Sequence, residues 1–149
     1  MKKHLKKIVI ALIVVFILIQ FFPTHRNENK ELLPTDFSKV YDVPENIHVM
    51  LKNACYDCHS NNTKYPWYNK IQPVSWFLEN HIAEAKEELN FSEFGNYSAK
   101  KQNHKLDEII DEVKEGEMPL KGYKLMHSEA KFSDEERKQF LSYFQKIMK

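Results

Sequence analysis

The chain contains 149 residues, of which 42% are hydrophobic and 29% are charged, with only three glycines. This length suits one compact domain and excludes a multidomain enzyme, and the scarcity of glycine argues against a glycine-rich nucleotide-binding fold. Four lysines before Ile8 produce the net charge of +1, so the rest of the chain is mildly acidic and unlike a nucleic-acid-binding surface. We expect no nucleic-acid partner.

The N-terminus has the pattern of a membrane anchor. The four lysines precede an apolar run, Ile8–Phe22, that only Gln20 interrupts, and no small-residue cleavage site follows the run. We therefore predict that residues 1–23 form an uncleaved, single-pass anchor in the cytoplasmic (inner) membrane. Because positive charge stays on the cytoplasmic side, the rest of the chain is predicted to face the periplasm, with 24–40 as a polar linker.

Four later stretches have helical periodicity, and none has the alternation of a strand. The predicted helices begin near Asp42, Pro73, Lys105 and Ser133. Capping boxes are predicted where Glu45 follows Asp42 and where Glu136 follows Ser133, and Gly116 is predicted to end the third helix. The pattern predicts an all-α domain over 41–149. Short helices and long loops bury little apolar surface, so we expect a large flat cofactor to complete the core.

The segment Cys55-Tyr56-Asp57-Cys58-His59 is a C-x-x-C-H motif, the spacing typical of covalent c-type haem attachment. Two thiols at this spacing each reach one vinyl group of the porphyrin, and the following histidine is carried under the ring to ligate iron. The motif predicts one covalently attached haem c, held by Cys55 and Cys58, with His59 as the proximal ligand.

Three other functions are known for cysteine pairs at this spacing. A thioredoxin-like dithiol is expected in a βαβ context, which the chain lacks. A structural zinc site needs four ligands, and no second cysteine pair is present. A Cys55–Cys58 disulfide in an exported domain remains the simplest alternative, although it leaves His59 without a role.

From about Val43 to its end, the sequence resembles the small haem-binding domain family of cytochrome c type, which occurs in membrane-anchored bacterial proteins. The matching segments are 54–60 (ACYDCHS), 63–68 (TKYPWY), 71–76 (IQPVSW), 81–82 (HI), 89–92 (LNFS) and 116–119 (GEMP). The resemblance covers about two-thirds of the chain, and the aromatic block beside the motif is its most specific part. It implies one covalent haem without naming a reaction.

The second axial position decides between electron transfer and ligand chemistry. Met118 precedes Pro119 in a loop after the predicted helix stop at Gly116. This layout resembles that of small c-type cytochromes. The thioether sulfur of a methionine suits a low-spin iron. Met118 is therefore the favoured distal ligand, although it could simply pack into the core. His81 is a competitor on the second helix, whereas Met126 and His127 are expected to be solvated. Without a protein ligand, the iron would bind gas or peroxide.

Aromatic residues near the motif are candidates for the haem pocket. Tyr65, Trp67, Tyr68 and Trp76 are predicted to pack on the porphyrin and to donate hydrogen bonds to its propionates, unless they are ordinary core residues with polar tips at the surface. Either Pro66 or Pro73 is a candidate to present a carbonyl to Nδ1 of His59.

Together these patterns predict a small, cytochrome c-like helical domain around one haem, preceded by an anchor helix. The expected function is one-electron transfer to a redox partner protein, and the chain is expected to be a carrier rather than an enzyme. The alternatives are a haem-based sensor or peroxidase-like protein with an open sixth position, and a non-haem module with a Cys55–Cys58 disulfide.

Overall fold

The computed structural model of the protein describes residues 2–148, so that Met1 and Lys149, at the outer ends of the predicted segments, lie outside the described residues. The α-helices are α1 (Lys2–Ile19), α2 (Phe37–Val40), α3 (Glu45–Ala54), α4 (Tyr56–His59), α5 (Val74–Glu88), α6 (Ala99–Glu115), α7 (Lys121–Met126) and α8 (Asp134–Ile147). Three 3₁₀ turns lie at Trp67–Lys70, Phe91–Asn96 and Ser128–Ala130. Within 2–148, strand-like pairing is limited to an isolated bridge between Glu28 and Asn62. The predicted all-α class is confirmed.

Local sequence signals account for several helix ends. The Ser133 side chain accepts from the backbone N–H of Glu136 while the Glu136 carboxylate accepts from the backbone N–H of Ser133, so the capping box predicted for α8 is confirmed. Gly116 ends α6 in the left-handed region, with φ of 79°, as predicted. The other predicted capping box is wrong, because α3 begins after Pro44, which has no side-chain acceptor to offer.

Within residues 2–148, the apolar core contains five buried phenylalanine side chains. Phe37 is fully buried, stacks against Phe144 with ring centroids 5.6 Å apart, and meets the edges of Phe91 and Phe94. Buried aliphatic side chains from α3 and α6 complete this core. Phenylalanines from the predicted linker and from a predicted loop therefore supply apolar side chains to the core that the helical periodicity did not indicate.

The segment that follows α1 packs against the domain, although 24–40 was predicted to be a linker. Asn27 shows this most clearly, because every polar group that it carries has a partner. Its backbone N–H donates to the hydroxyl of Tyr65, and its carbonyl accepts from the N–H of Thr63. Its side chain donates to the carbonyl of Ser60 and to Thr63 Oγ1, and accepts from Lys86 Nζ. The N-terminal segment is thus fastened to the loop that follows the C-x-x-C-H motif.

No helix formed by residues 2–148 has both the length and the apolar character needed to cross a membrane. This finding overturns the predicted single-pass inner-membrane anchor at 1–23, and with it the predicted periplasmic location of the remainder. The physical reason is that the lysines lie inside the first turns of α1, which leaves a short apolar stretch before the helix ends at Ile19.

Candidate functional site

The C-x-x-C-H motif lies where α3 gives way to α4. Cys55 ends α3, with φ of −127° and ψ of −46°. Its carbonyl accepts hydrogen bonds from the N–H groups of Cys58 and His59. This turn brings the two cysteines and the histidine close together on a four-residue helix. Both cysteines are partly buried, and both are free thiols.

The environment of the two thiols keeps them protonated. Burial, followed by the proximity of Cys58, raises the pKa of Cys55 to about 12. Burial and the charge of Asp57 raise the pKa of Cys58 to about 11. A thiol with so high a pKa carries almost no thiolate at neutral pH, so the pair lacks the character of a reactive dithiol. Residues 2–148 also contain no cluster of three or more metal-binding side chains of the kind a zinc site requires.

His59 is held by the carbonyl groups at the end of α5. Its Nδ1 atom lies 2.9 Å from the carbonyl oxygen of Ala85 and 3.1 Å from that of Leu89. Burial lowers the pKa of His59, and the two carbonyls only partly oppose this effect. A neutral imidazole that donates through Nδ1 has its lone pair on Nε2, which is the state of a histidine ready to ligate iron.

The carbonyls that orient His59 are not those expected from the sequence. Pro66 and Pro73 were the candidates, but the end of α5 packs beside α4 and supplies the acceptors instead. The second acceptor, the carbonyl of Leu89, lies just beyond Glu88, the last residue of α5. The Ala85 carbonyl also accepts from the backbone N–H of Leu89, so it has a second donor besides His59, whereas the Leu89 carbonyl lies beyond the helix.

A group of aromatic side chains is connected to Asp57, the residue before Cys58. The hydroxyl of Tyr123 donates to Asp57 Oδ2 at 2.8 Å, and His127 stacks on the Tyr123 ring with centroids 4.1 Å apart. The Nε2 atom of His127 lies 3.1 Å from the hydroxyl of Tyr68. Burial raises the pKa of both tyrosines, and the charges of Asp57 and Cys58 raise it further. We call Tyr68, Tyr123 and His127 the tyrosine–histidine cluster.

Sequence analysis missed this cluster. Tyr123 and His127 are four residues apart, the spacing that places side chains on one helix face, and this was the available signal. The cluster also needs Asp57 and Tyr68, which are distant in sequence, and only the fold brings them together. The expectation that His127 is solvated is wrong, because its side chain is only 13% exposed.

The two candidates for the second axial position have different surroundings. Met118 is partly buried and packs against the apolar core, and its backbone N–H donates to the carbonyl of Glu112 at the end of α6. The His81 ring is tilted by 41° to that of Phe77 with centroids 4.2 Å apart, and its Nδ1 atom lies 2.9 Å from the Phe77 carbonyl. Neither contact joins these residues to the motif.

The predicted pocket aromatics turn their polar atoms in different directions. Tyr65 donates to Glu79 and accepts from Asn27, while the indole N–H of Trp76 donates to the carbonyl of Phe22. Both side chains therefore hold the N-terminal segment. Trp67 differs from them, because it is 70% exposed and meets Tyr68 edge to face.

The residues beside the motif fit a porphyrin. The donor set consists of two neutral thiols and one neutral imidazole with its Nδ1 already bonded, which is the chemistry that covalent attachment and iron ligation require. Apolar side chains in the segments that carry the tyrosine–histidine cluster are also exposed, with Trp67 at 70% and Leu125 at 81%. Large exposed apolar groups beside such donors are typical of a surface that a flat apolar cofactor covers.

Comparison with known families agrees with this chemistry. A family model described as "Haem-binding domain" matches residues 14–146, which is most of the chain. No curated protein and no solved structure matches this chain.

Proposed function

Because this chain belongs to the haem-binding domain family, we propose that it carries one covalently attached haem c and transfers single electrons to a redox partner protein. In this proposal Cys55 and Cys58 form the two thioether bonds, and His59 is the proximal iron ligand. A bound haem supplies an iron that accepts and releases one electron; the other roles belong to the protein. The proposal treats the chain as a carrier and not as an enzyme.

The observation that carries the proposal is the state of His59 beside two free thiols. Its Nδ1 atom is bonded to the carbonyls of Ala85 and Leu89, which leaves Nε2 as the basic atom and fixes the plane of the ring. Such hydrogen bonds orient a ligating imidazole and raise its basicity. The sequence offers the pair of thiols at the spacing that two vinyl groups require.

Each thioether forms by addition of a cysteine S–H across a vinyl group: the sulfur bonds to one carbon and the hydrogen goes to the other. No atom leaves, so the product weighs as much as the polypeptide and one haem together. Tyr65, Trp67 and Trp76 remain candidates for packing on the ring, and Met118 remains the sequence-based candidate for the sixth position.

The proposal is tested by expressing the full chain together with a c-type haem-attachment system. We expect a covalent mass gain of one haem, a Soret band that survives denaturation, and a reversible one-electron wave in voltammetry. Replacing both Cys55 and Cys58 with Ser should remove the covalent mass, whereas His104→Ala, at an exposed site on α6, should leave it unchanged. A colourless wild-type chain with the mass of its amino acids would overturn the proposal.

The same preparation separates the carrier from the other functions considered. A high-spin spectrum that shifts on addition of carbon monoxide would favour a sensor or a peroxidase-like protein and contradict the carrier. A mass lower than that of the polypeptide by two hydrogens, without haem, would show a Cys55–Cys58 disulfide.

A further inference from the structure

His127 is held in a way that the structure repeats nowhere else among its described histidines. Its ring lies parallel to Tyr123, with an interplanar angle of 11°, and its side chain is 13% exposed. His104 also lies beside a carboxylate, 3.1 Å from Glu108, but its side chain is 66% exposed on the surface of α6. Burial against an aromatic ring therefore distinguishes His127 from an ordinary surface histidine.

The two nitrogens of His127 have different partners. Nδ1 lies 3.5 Å from Oε1 of Glu129, and Nε2 lies 3.1 Å from the hydroxyl of Tyr68. The carboxylate favours a proton on Nδ1, so Nε2 accepts from the tyrosine O–H. A carboxylate behind one nitrogen and a lone pair on the other is the arrangement that orients histidines at metal centres. The partner of Nε2 is a single neutral hydroxyl. A metal ion that accepts the Nε2 lone pair more strongly can replace this hydroxyl.

The cluster is connected to the motif through Asp57. The hydroxyl of Tyr123 in α7 donates to the Asp57 carboxylate, and His127 stacks on the Tyr123 ring. His59 is held by a different element, through the carbonyl of Ala85 in α5. Two axial ligands must approach an iron from opposite faces of the porphyrin, and these two histidines are held by two different elements that each bond to α4.

The structure gives the rival residues less support. The Met118 side chain packs against the apolar core, whereas the Tyr123 ring on which His127 stacks is bonded to Asp57 of the motif. His81 belongs to α5, the same helix that holds His59, so it shares the proximal side of the motif.

We propose that His127, and not Met118, is the second axial ligand, bound through Nε2 after its hydrogen bond to Tyr68 is broken. Glu129 and Tyr123 then act as positioning residues that hold the imidazole. This inference rests on the proposed function, because it needs a haem attached at Cys55 and Cys58. It changes the expected electronic character of the protein, since histidine in place of methionine lowers the reduction potential.

The test begins with the wild-type chain carrying its attached haem. We expect a low-spin spectrum without the methionine–iron charge-transfer band and with the paramagnetic resonance signature of two imidazole ligands. This reading requires no substitution, so it does not depend on whether a variant folds. A methionine–iron band in the wild-type spectrum would overturn the inference while leaving covalent attachment intact.

Variants then identify the residue. His127→Ala should convert the iron to a high-spin or water-ligated form, and added imidazole should restore the low-spin spectrum. Met118→Leu should leave the wild-type spectrum unchanged, and His104→Ala is the matched control at an exposed histidine. His127→Met should keep a low-spin iron and raise the midpoint potential, which a structural role alone would not do.

The outcomes separate the inference from the function on which it rests. If Met118→Leu gives the high-spin form and His127→Ala does not, or if neither variant changes the spectrum, His127 is not the ligand although haem attachment stands. If mass spectrometry shows no covalent haem in the wild type, both the proposed function and this inference fail.

Discussion

The hydroxyl of Tyr123 donates a 2.8 Å hydrogen bond to Oδ2 of Asp57, one of the two residues between Cys55 and Cys58 in the sequence. The other carboxylate oxygen of Asp57 accepts from the backbone N–H of Lys64. One side chain of the motif therefore ties together α4, the loop that follows it, and α7. Because α7 carries Tyr123 and leads directly to His127, this contact fixes the tyrosine–histidine cluster relative to the cysteines.

We predict that Tyr123→Phe destabilises the haem-free chain by about 1–2 kcal/mol, because it removes a hydrogen bond to a charged and partly buried acceptor. The ring stays in place, so stacking on His127 is preserved. Urea unfolding followed by circular dichroism measures the change. The matched control is Tyr143→Phe, whose hydroxyl donates a longer bond of 3.3 Å to the Asp42 carbonyl at an exposed site, with an expected cost below about 0.5 kcal/mol. Equal costs for the two variants would contradict the prediction.

Short-range signals in the sequence predicted several features that the structure confirms. The α8 capping box and the glycine that ends α6 each depend on contacts within a few residues, so a pattern of residue types is enough to find them. The C-x-x-C-H motif is equally local. The start of α6 was missed, because the residues between Ala99 and Lys105 are polar and carry no apolar periodicity, although Ser98 caps the helix.

Long-range packing was not predictable in the same way. Phe37 lies in a stretch that is polar by composition, yet it occupies the centre of the core against Phe144 and Phe94. The orientation of His59 depends on α5, and that of His127 depends on residues from three separate elements. A single sequence does not show which elements meet. The apolar run also indicated an anchor, because the hydropathy of the run was considered apart from that of the lysines in the same helix.

Asn27 fastens the N-terminal segment to the loop after the motif, and we predict that Asn27→Ala lowers the free energy of unfolding by about 2–3 kcal/mol. The side chain donates to Ser60 and Thr63 and accepts from Lys86, so its removal leaves several partly buried polar groups without a partner. Hydrogen exchange should also accelerate at the amide of Thr63.

The control for Asn27 is Asn29→Ala. The Asn29 side chain accepts only from the nearby N–H of Glu31, and its backbone bond to Asn61 survives the substitution. We expect a cost below about 0.5 kcal/mol and unchanged exchange at Thr63. Equal acceleration of Thr63 exchange in the two variants would show that the Asn27 side chain has no specific role in fastening the segment.

Two glycines should respond to alanine with opposite signs. Gly116 has φ of 79°, a conformation that costs an L-residue roughly 1–2 kcal/mol, although a Cβ there would have room, since the closest of the atoms it would meet is Arg137 Nη1 at 3.7 Å. Gly122 lies within α7 and nothing would meet its Cβ within 4 Å, so Gly122→Ala should stabilise the helix by up to about 1 kcal/mol. Thermal unfolding of the two variants measures both effects. A stabilising Gly116→Ala would exclude backbone strain as the reason for this glycine.

Alkaline pH should destabilise the haem-free chain through its buried tyrosines, and Tyr56 is one of them. Its hydroxyl donates to the buried carboxylate of Asp36 at 3.0 Å. Burial, followed by the charge of Asp36, raises the pKa of Tyr56 far above its ordinary value of 10.0. The folded state therefore keeps the proton while the unfolded state loses it. The stability that this hydroxyl contributes is fully present below pH 10 and is lost as the pH rises further.

Urea unfolding at about pH 8 and at about pH 11 tests the role of Tyr56. The wild-type chain should lose stability between the two values, and Tyr56→Phe should lose less, because the group that releases a proton on unfolding is gone. At the lower pH the variant should be less stable than the wild type by about 1–3 kcal/mol, since the Asp36 carboxylate loses a buried hydrogen bond. The control is Tyr143→Phe: burial raises the pKa of Tyr143 only to about 12, so that its removal should flatten the pH dependence less. If Tyr56→Phe shows the same loss of stability as the wild type, the alkaline sensitivity arises elsewhere, and the Tyr56–Asp36 contact is not its source.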